Sequence, residues 1–188
     1  MPVSNQGNLQ PDSDVQADVS LMNPSGSELP GFEPVNPWKS RQLVITRRRL
    51  PHFEVPGATY FVTFKCRQGR QLIGRERGLV LREIHALDGN MIDLDGAVVM
   101  PDRAHAIFRL VGQQTLGRAL QKIKGRAARR INRALKIEGP LWLDESFDHI
   151  VRDGNDLEAK IEYLRRNPVK EGLVSVPEDY EWLFVKRS

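Results

Sequence analysis

Apolar and polar positions divide the chain into an unpatterned front and a strongly patterned remainder. From 1 to about 42 the apolar residues are scattered among Ser, Asn, Gln, Pro and Gly without any period. Such a segment buries too little surface to offset the entropy of ordering it, so 1–45 is expected to be a disordered tail. Beyond it the periods are clear. The run 58–66 (ATYFVTFKC) alternates Tyr60, Val62 and Phe64 against Phe61 and Thr63, which predicts a strand. The run 75–87 carries Leu79, Ile84 and Leu87 near helical spacing and ends at Asp88-Gly89-Asn90. Two short strands, about 91–100 and 104–110, flank the turn-prone pair Pro101-Asp102. Thr115 caps a long helix reaching about Leu135, Gly139-Pro140 stops the chain, and 141–143 and 150–152 read as short extended pieces. Asp156 caps a last helix that runs to Arg166 and is ended at Asn167 by Pro168. This order predicts an α+β fold, an antiparallel sheet with helices packed on it, as one domain over 46–188.

Composition changes the picture mainly through charge. Residues 1–38 hold no Lys or Arg and five acids (Asp12, Asp14, Asp18, Glu28, Glu33), so the net +4 of the chain becomes +4 − (−5) = +9 over 39–188. A surplus of that size attracts polyanions and makes nucleic acid a candidate partner. The acidic tail would either shield the binding face or act as a spacer. Apolar runs such as 97–100 are far too short for a bilayer, and no charged-then-apolar leader opens the sequence. Cys66 is the single cysteine, which excludes an internal disulfide framework and a Cys-rich zinc site. A cytoplasmic protein with no membrane partner is the expectation. Nothing in the chain assigns an oligomeric state.

Four features could carry chemistry. From Gly112 to Ile137 there is no acid, while Arg118, Lys122, Lys124, Arg126, Arg129, Arg130, Arg133 and Lys136 are basic. Leu116, Leu120, Ile123, Ala127, Ile131 and Leu135 recur at steps of three and four, giving a core face and an opposed basic face. Solvated faces normally mix signs, because i,i+4 pairs then stabilise the helix, so an all-positive face points to phosphates. The second feature is Met100-Pro101-Asp102-Arg103-Ala104-His105-Ala106, in which Arg103 and His105 share one face of a strand. A lone histidine is usually structural, and residue chemistry leaves His105 open. The third is Tyr163-Leu164-Arg165-Arg166-Asn167-Pro168, where Tyr163 and Asn167 lie one turn apart on a helix. Tyrosine serves as a nucleophile in covalent catalysis and an Asn carbonyl can ligate a hard metal, yet a helical Tyr is most often core. The fourth is Trp142 with Phe147-Asp148-His149-Ile150-Val151-Arg152, which suits a pocket wall at His149 and Arg152 or a hydrogen-bonded junction.

Taken together and in order, these segments resemble the REP-associated tyrosine transposases, within the wider IS200/IS605-like single-tyrosine (HUH) transposase family. The match covers about 48–182. GATYFVT at 57–63 resembles the opening strand, and VVMPDRAH at 98–105 sits where the family has Met-Pro-Asn/Asp-His-x-His. The stretch 116–132 resembles its basic helix, and 142–152 its W…(F/Y)-x-D/E-H-x-(I/V)-R element. YLRRNPVKEGLV at 163–174 is close to Y-I-x-x-N-P-V-K-A-G-L-V. The resemblance implies a ferredoxin-like sheet, a substrate of single-stranded or hairpin DNA of the palindromic kind scattered through bacterial genomes, and cleavage and rejoining through a 5′-phosphotyrosine link. It implies Tyr163 as nucleophile and His105 with Asn167 as ligands of Mg²⁺ or Mn²⁺. Arg47, Arg48 and Lys170 join the basic helix as expected DNA contacts.

One departure stands out. The first motif histidine is Arg103 here, and a guanidinium is no metal ligand. Either Arg103 itself neutralises the phosphate, leaving a metal-independent or metal-tolerant enzyme, or cleavage is lost and hairpin binding remains. A binder of RNA hairpins using the same basic helix is a third reading, since charge does not separate RNA from DNA.

Overall fold

Strand pairing follows the period-two segments. The computed structural model describes residues 44–47, 51–55 and 57–187, with the backbone pairing alone for 44–47 and 51–54. The expected tail up to residue 43 and Arg48 therefore lie outside the described residues, as does the side chain of Arg47. Strands β1 (Val44–Arg47) and β2 (Pro51–Glu54) pair antiparallel with each other. They are followed by β3 (Thr59–Cys66), α1 (Gly74–His85), β4 (Ile92–Val99), β5 (Arg103–Leu110), α2 (Leu116–Leu135), β6 (Trp142–Ile150), α3 (Gly154–Lys170), a 3₁₀ turn (Pro177–Asp179) and β7 (Leu183–Val185).

Strands β3 to β7 form one five-stranded antiparallel sheet in the order β6-β3-β5-β4-β7. Its first four strands with α1 and α2 run β-α-β-β-α-β, the ferredoxin-like arrangement expected. The central strands β3 and β5 are covered on both faces, which is why both read as nearly continuous apolar runs. On one face Tyr60, Val62, Phe64, Ala106 and Phe108 pack with Val80 and Ile84 of α1 and Leu116, Ile123, Ala127 and Ile131 of α2. On the other, Phe61, Val98, Met100 and Ile107 pack with Leu157 and Leu164 of α3 and with Tyr180. Burying each such Leu, Ile or Phe contributes roughly 1.5–3 kcal/mol, so both helical layers are firmly held. No helix among the described residues is long and apolar enough to cross a membrane.

Three elements differ from the sequence reading. Residues 142, 143 and 150 of the two pieces belong to one nine-residue strand, β6. It is a sheet edge, so Asp144, Glu145 and Asp148 interrupt its apolar pattern, and its register against β3 shifts between Ser146 and Trp142. The cap of α3 is Asp153, whose Oδ1 accepts from the Asp156 amide at 2.8 Å, rather than Asp156 itself. Finally, α3 does not stop at Asn167. Pro168 lies inside it, buried, and the last turn closes through Glu171 N–H to Asn167 O at 3.0 Å and Leu173 N–H to Pro168 O at 2.9 Å. Proline removes one i→i−4 bond and crowds the carbonyl four residues back, but it leaves the amides that follow free to bond, so the helix continues for a last turn. This extra turn proves decisive for the site. The 3₁₀ turn, β7 and the pairing of β1 with β2 were not read from the sequence.

Candidate active site

Alternation along β5 sends Arg103, His105 and Ile107 to the α3 face of the sheet. In the register, Arg103 lies opposite Lys65, and His105 opposite Thr63, which in turn faces Phe147 on the edge strand. His105 is 3% exposed. Its Nδ1 shares a hydrogen bond of 2.7 Å with Thr63 Oγ1, and its ring stacks on Phe61 at 5.7 Å. Tyr163 of α3 stands edge-on to both rings, 5.4 Å from His105 and 5.7 Å from Phe61 between centroids. The chain has three tyrosines. The Tyr60 hydroxyl is buried against Val55 and that of Tyr180 donates to Val99 O at 2.8 Å, whereas Tyr163 is 45% exposed. Tyr163 alone presents its phenol to a large substrate.

The charge around His105 is positive. Burial, with the positive charges of Arg103 and Lys65 adding to it, pushes the imidazole down to about 3, so it is neutral at physiological pH. Its Nε2 is buried and has no hydrogen-bond partner, leaving one ring nitrogen for whatever occupies the site. A pH dependence follows. Between its ordinary 6.5 and about 3, the unfolded chain binds a proton on this residue that the folded chain excludes. The corresponding stability is complete above 6.5 and is lost as pH falls. Asp95, raised to about 6 by burial and by Asp93, acts in the opposite sense between its ordinary 3.8 and 6. His105→Gln is therefore expected to lose less stability than the wild type between pH 7 and 5 in denaturant midpoints. Parallel curves for the two proteins would contradict a buried neutral His105.

One turn beyond Tyr163, Asn167 is buried and its Nδ2 donates to Tyr163 O at 2.8 Å, bracing the helix across Pro168. The added turn of α3 carries Glu171 to Arg103, and the two form an ion pair through Arg103 Nη2. The divalent ion implied by the resemblance does not fit these residues. Among the described residues no three His, Cys, Asp or Glu side chains come together as a metal cluster. His105 and Asn167 would supply two neutral donors beside a fixed guanidinium, and the nearby carboxylate of Glu171 is already engaged by Arg103.

The basic helix α2 lies on the opposite face of the sheet from Tyr163. Its apolar stripe is buried as expected from Leu116 to Ile131, while Leu135 at the frayed end is 40% exposed. Its cations divide into two groups. Arg126 and Arg130 both pair with Glu83 of α1, which is 1% exposed, at 2.8 and 2.7 Å. Lys124 donates to the carbonyls of Leu143 and Asp144 at 2.8 and 3.0 Å and to Ser146 Oγ at 3.1 Å. These three fix α2 to α1 and to β6. Arg118, Lys122, Arg129 and Arg133 are exposed and have no acidic partner among the described residues. Lys170 is exposed at the end of α3. His149 and Arg152 meet at Asp156, which accepts from the Arg152 amide at 3.1 Å and lies 3.3 Å from His149 Nε2. Contacts of Arg152, Lys160 and His149 outweigh the opposing effect of burial and hold the Asp156 carboxyl low.

Sequence reasoning did not single out Thr63, Lys65 or Glu171, and it took Phe147 only as part of a motif. Phe147 is 58% exposed on the edge strand, across Thr63 from His105. Only strand register could have found these residues. Burial pushes the Cys66 thiol up to about 12, which leaves it inert at neutral pH.

No family model matches the chain. It is 24% identical over 131 residues to the REP-associated tyrosine transposase of Escherichia coli K12, covering 68% of this chain and 76% of that protein. A second protein of that description, from Haemophilus influenzae Rd, is 26% identical over 94 residues, and the chain spans about half its length (53%). The solved structure of a REP-associated tyrosine transposase bound to a REP hairpin superposes with a TM-score of 0.62 at 21% identity, covering 73% of this chain and 82% of that one. Motifs and relatives point the same way, and the fold is shared: this chain is similar to the REP-associated tyrosine transposases.

Proposed function

We propose that the protein recognises hairpin DNA and cleaves and rejoins its single-stranded flank through Tyr163. The observation that carries this reading is the exposed Tyr163 phenol set edge-on to the buried, neutral His105 with its unpartnered Nε2. The Tyr163 oxygen attacks the scissile phosphorus and the phenolic proton passes to solvent. The bond from phosphorus to the 3′ oxygen breaks, and that oxygen takes up a proton. The products are a 5′-phosphotyrosine and a free 3′-OH, and reversal with another 3′-OH rejoins the strand.

The exposed cations of α2 supply the salt-dependent grip on the duplex. A groove of about 840 Å³ between α2 and the start of β6, lined by Arg118, Lys124, Trp142 and Ser146 among others, leads from that surface to the β6 edge. Around this edge the flank reaches Phe147, a stacking platform for a base next to Tyr163. The experiment incubates the protein with labelled hairpin oligonucleotides bearing a flank. A denaturation-resistant adduct is expected with the wild type and its complete loss in Tyr163→Phe, with hairpin affinity unchanged. Tight binding without an adduct would overturn cleavage and leave a hairpin-binding protein.

A further inference from the structure

A divalent cation and a phosphodiester make opposite demands on the charge of the pocket that holds them. The side chains on the sheet face that carries His105 meet the second demand. Lys65 and Arg103 are neighbours in register there, and His105, two residues from Arg103 and 5.4 Å from the Tyr163 ring, is buried with Nε2 unpartnered. Two carboxylates meet Arg103: Glu171 pairs with its Nη2, and Asp102 lies 3.5 Å from its Nε. Glu171 reaches Arg103 because α3 runs through Pro168. In the family pattern quoted above, the positions of Arg103 and Glu171 hold His and Ala. Here both depart, and the two departures meet as one ion pair.

We propose that Arg103, braced by Glu171, and His105 form an anion cradle that grips the scissile phosphate in place of a divalent ion, so that Tyr163 cleaves without metal. The proposal rests on the Tyr163 reading above. In the cradle the Thr63 hydroxyl, 2.7 Å from His105 Nδ1, acts as the donor of that bond, so that the ring hydrogen sits on the unpartnered Nε2 and is given to a phosphate oxygen. Glu171 holds one side of the guanidinium, as second carboxylates orient a charged donor, and the rest of the fork meets the phosphate. The charge that develops on the phosphate oxygens in the transition state is met by fixed donors that need no reorganisation. Bonds made and broken are those given above, and no co-reactant is needed.

The test uses the full chain and has three arms. In EDTA or in Mn²⁺, the wild type is expected to form adduct to the same extent, and Arg103→Gln to lower it by about a hundred-fold in both. Without DNA, Mn²⁺ electron paramagnetic resonance is expected to find no bound ion in the wild type. One ion per chain should appear in Arg103→His, where Glu171 is freed beside two histidines, and it should be lost again in Arg103→His/Glu171→Gln. In EDTA, Arg103→Gln should weaken binding of a flanked hairpin by about ten-fold and spare the bare hairpin. Adduct that requires Mn²⁺, or a wild-type Mn²⁺ site abolished by His105→Gln, would overturn the cradle. If no adduct forms in any condition, the Tyr163 reading fails. The flank arm then still decides whether Arg103 holds phosphate, and equal loss on both hairpins would overturn that too.

Discussion

Replacing Lys122, Arg129 and Arg133 together by glutamate is expected to lower hairpin affinity on the order of a hundred-fold or more at low salt, and to make its salt slope shallower by about three. The choice follows from how α2 uses its charge. Lys124 is tied to β6, and Arg126 and Arg130 to the buried Glu83, so reversing any of them would disturb packing and binding at once. Lys122, Arg129 and Arg133 are exposed on the same helix without acidic partners among the described residues, and reversal there removes phosphate contacts alone. Fluorescence anisotropy over a salt series, with thermal melts confirming the fold, gives the result. An unchanged affinity would move the duplex off α2 and onto the α3 face, around Lys65, Lys160 and Lys170.

The second large effect is on stability. Gly96 sits at the β-bulge of β4, where the register against β5 shifts between Leu94 and Gly96. A Cβ at this position would lie 2.9 Å from Leu164 Cδ1 and 3.3 Å from the carbonyl oxygen of Phe184. Leu164 is wholly buried and the carbonyl belongs to the backbone of β7, so neither neighbour has room to give. Gly96→Ala is expected to cost about 1–3 kcal/mol and lower Tm by roughly 5–15 °C, and Gly96→Val more. Leu164 follows Tyr163 directly, so adduct formation should fall beyond what the unfolded fraction explains. A Tm within about a degree of wild type would mean that β4 and α3 are packed more loosely than the glycine implies.

How much of this was legible in the sequence depended on how local the cause was. Thr115 and the 3–4 spacing from Leu116 to Ile131 are local, and α2 follows them. The alternation in 58–66 placed β3 correctly, including Phe61 on the second face. The edge strand β6 was read as fragments because one of its faces meets water and carries acids. Pro168 predicts a stop, yet the last turn of α3 closes through the amides beyond it, and Arg103, distant in sequence, pairs with Glu171 there. That misreading hid Glu171 from Arg103. Spacing paired Arg103 with His105 and Tyr163 with Asn167, and the fold sets Tyr163 against His105 at 5.4 Å, a meeting that only the resemblance implied. The basic helix was another matter: its charges read as one face, yet three of the eight, Lys124, Arg126 and Arg130, serve packing, and the face points away from Tyr163. Only pairing register and the sheet's two layers reveal that.

The central claim is that Tyr163 becomes covalently attached to DNA. Trypsin cuts after Lys160 and Arg165, which places Tyr163 in the peptide 161–165 with no other tyrosine. Tandem mass spectrometry of nuclease-trimmed, trypsin-digested adduct is predicted to find a 5′-nucleotidyl phosphate on that peptide, at the tyrosine. A nucleotide on the peptide of Tyr60 or Tyr180, on a serine, or on no peptide at all would contradict the account.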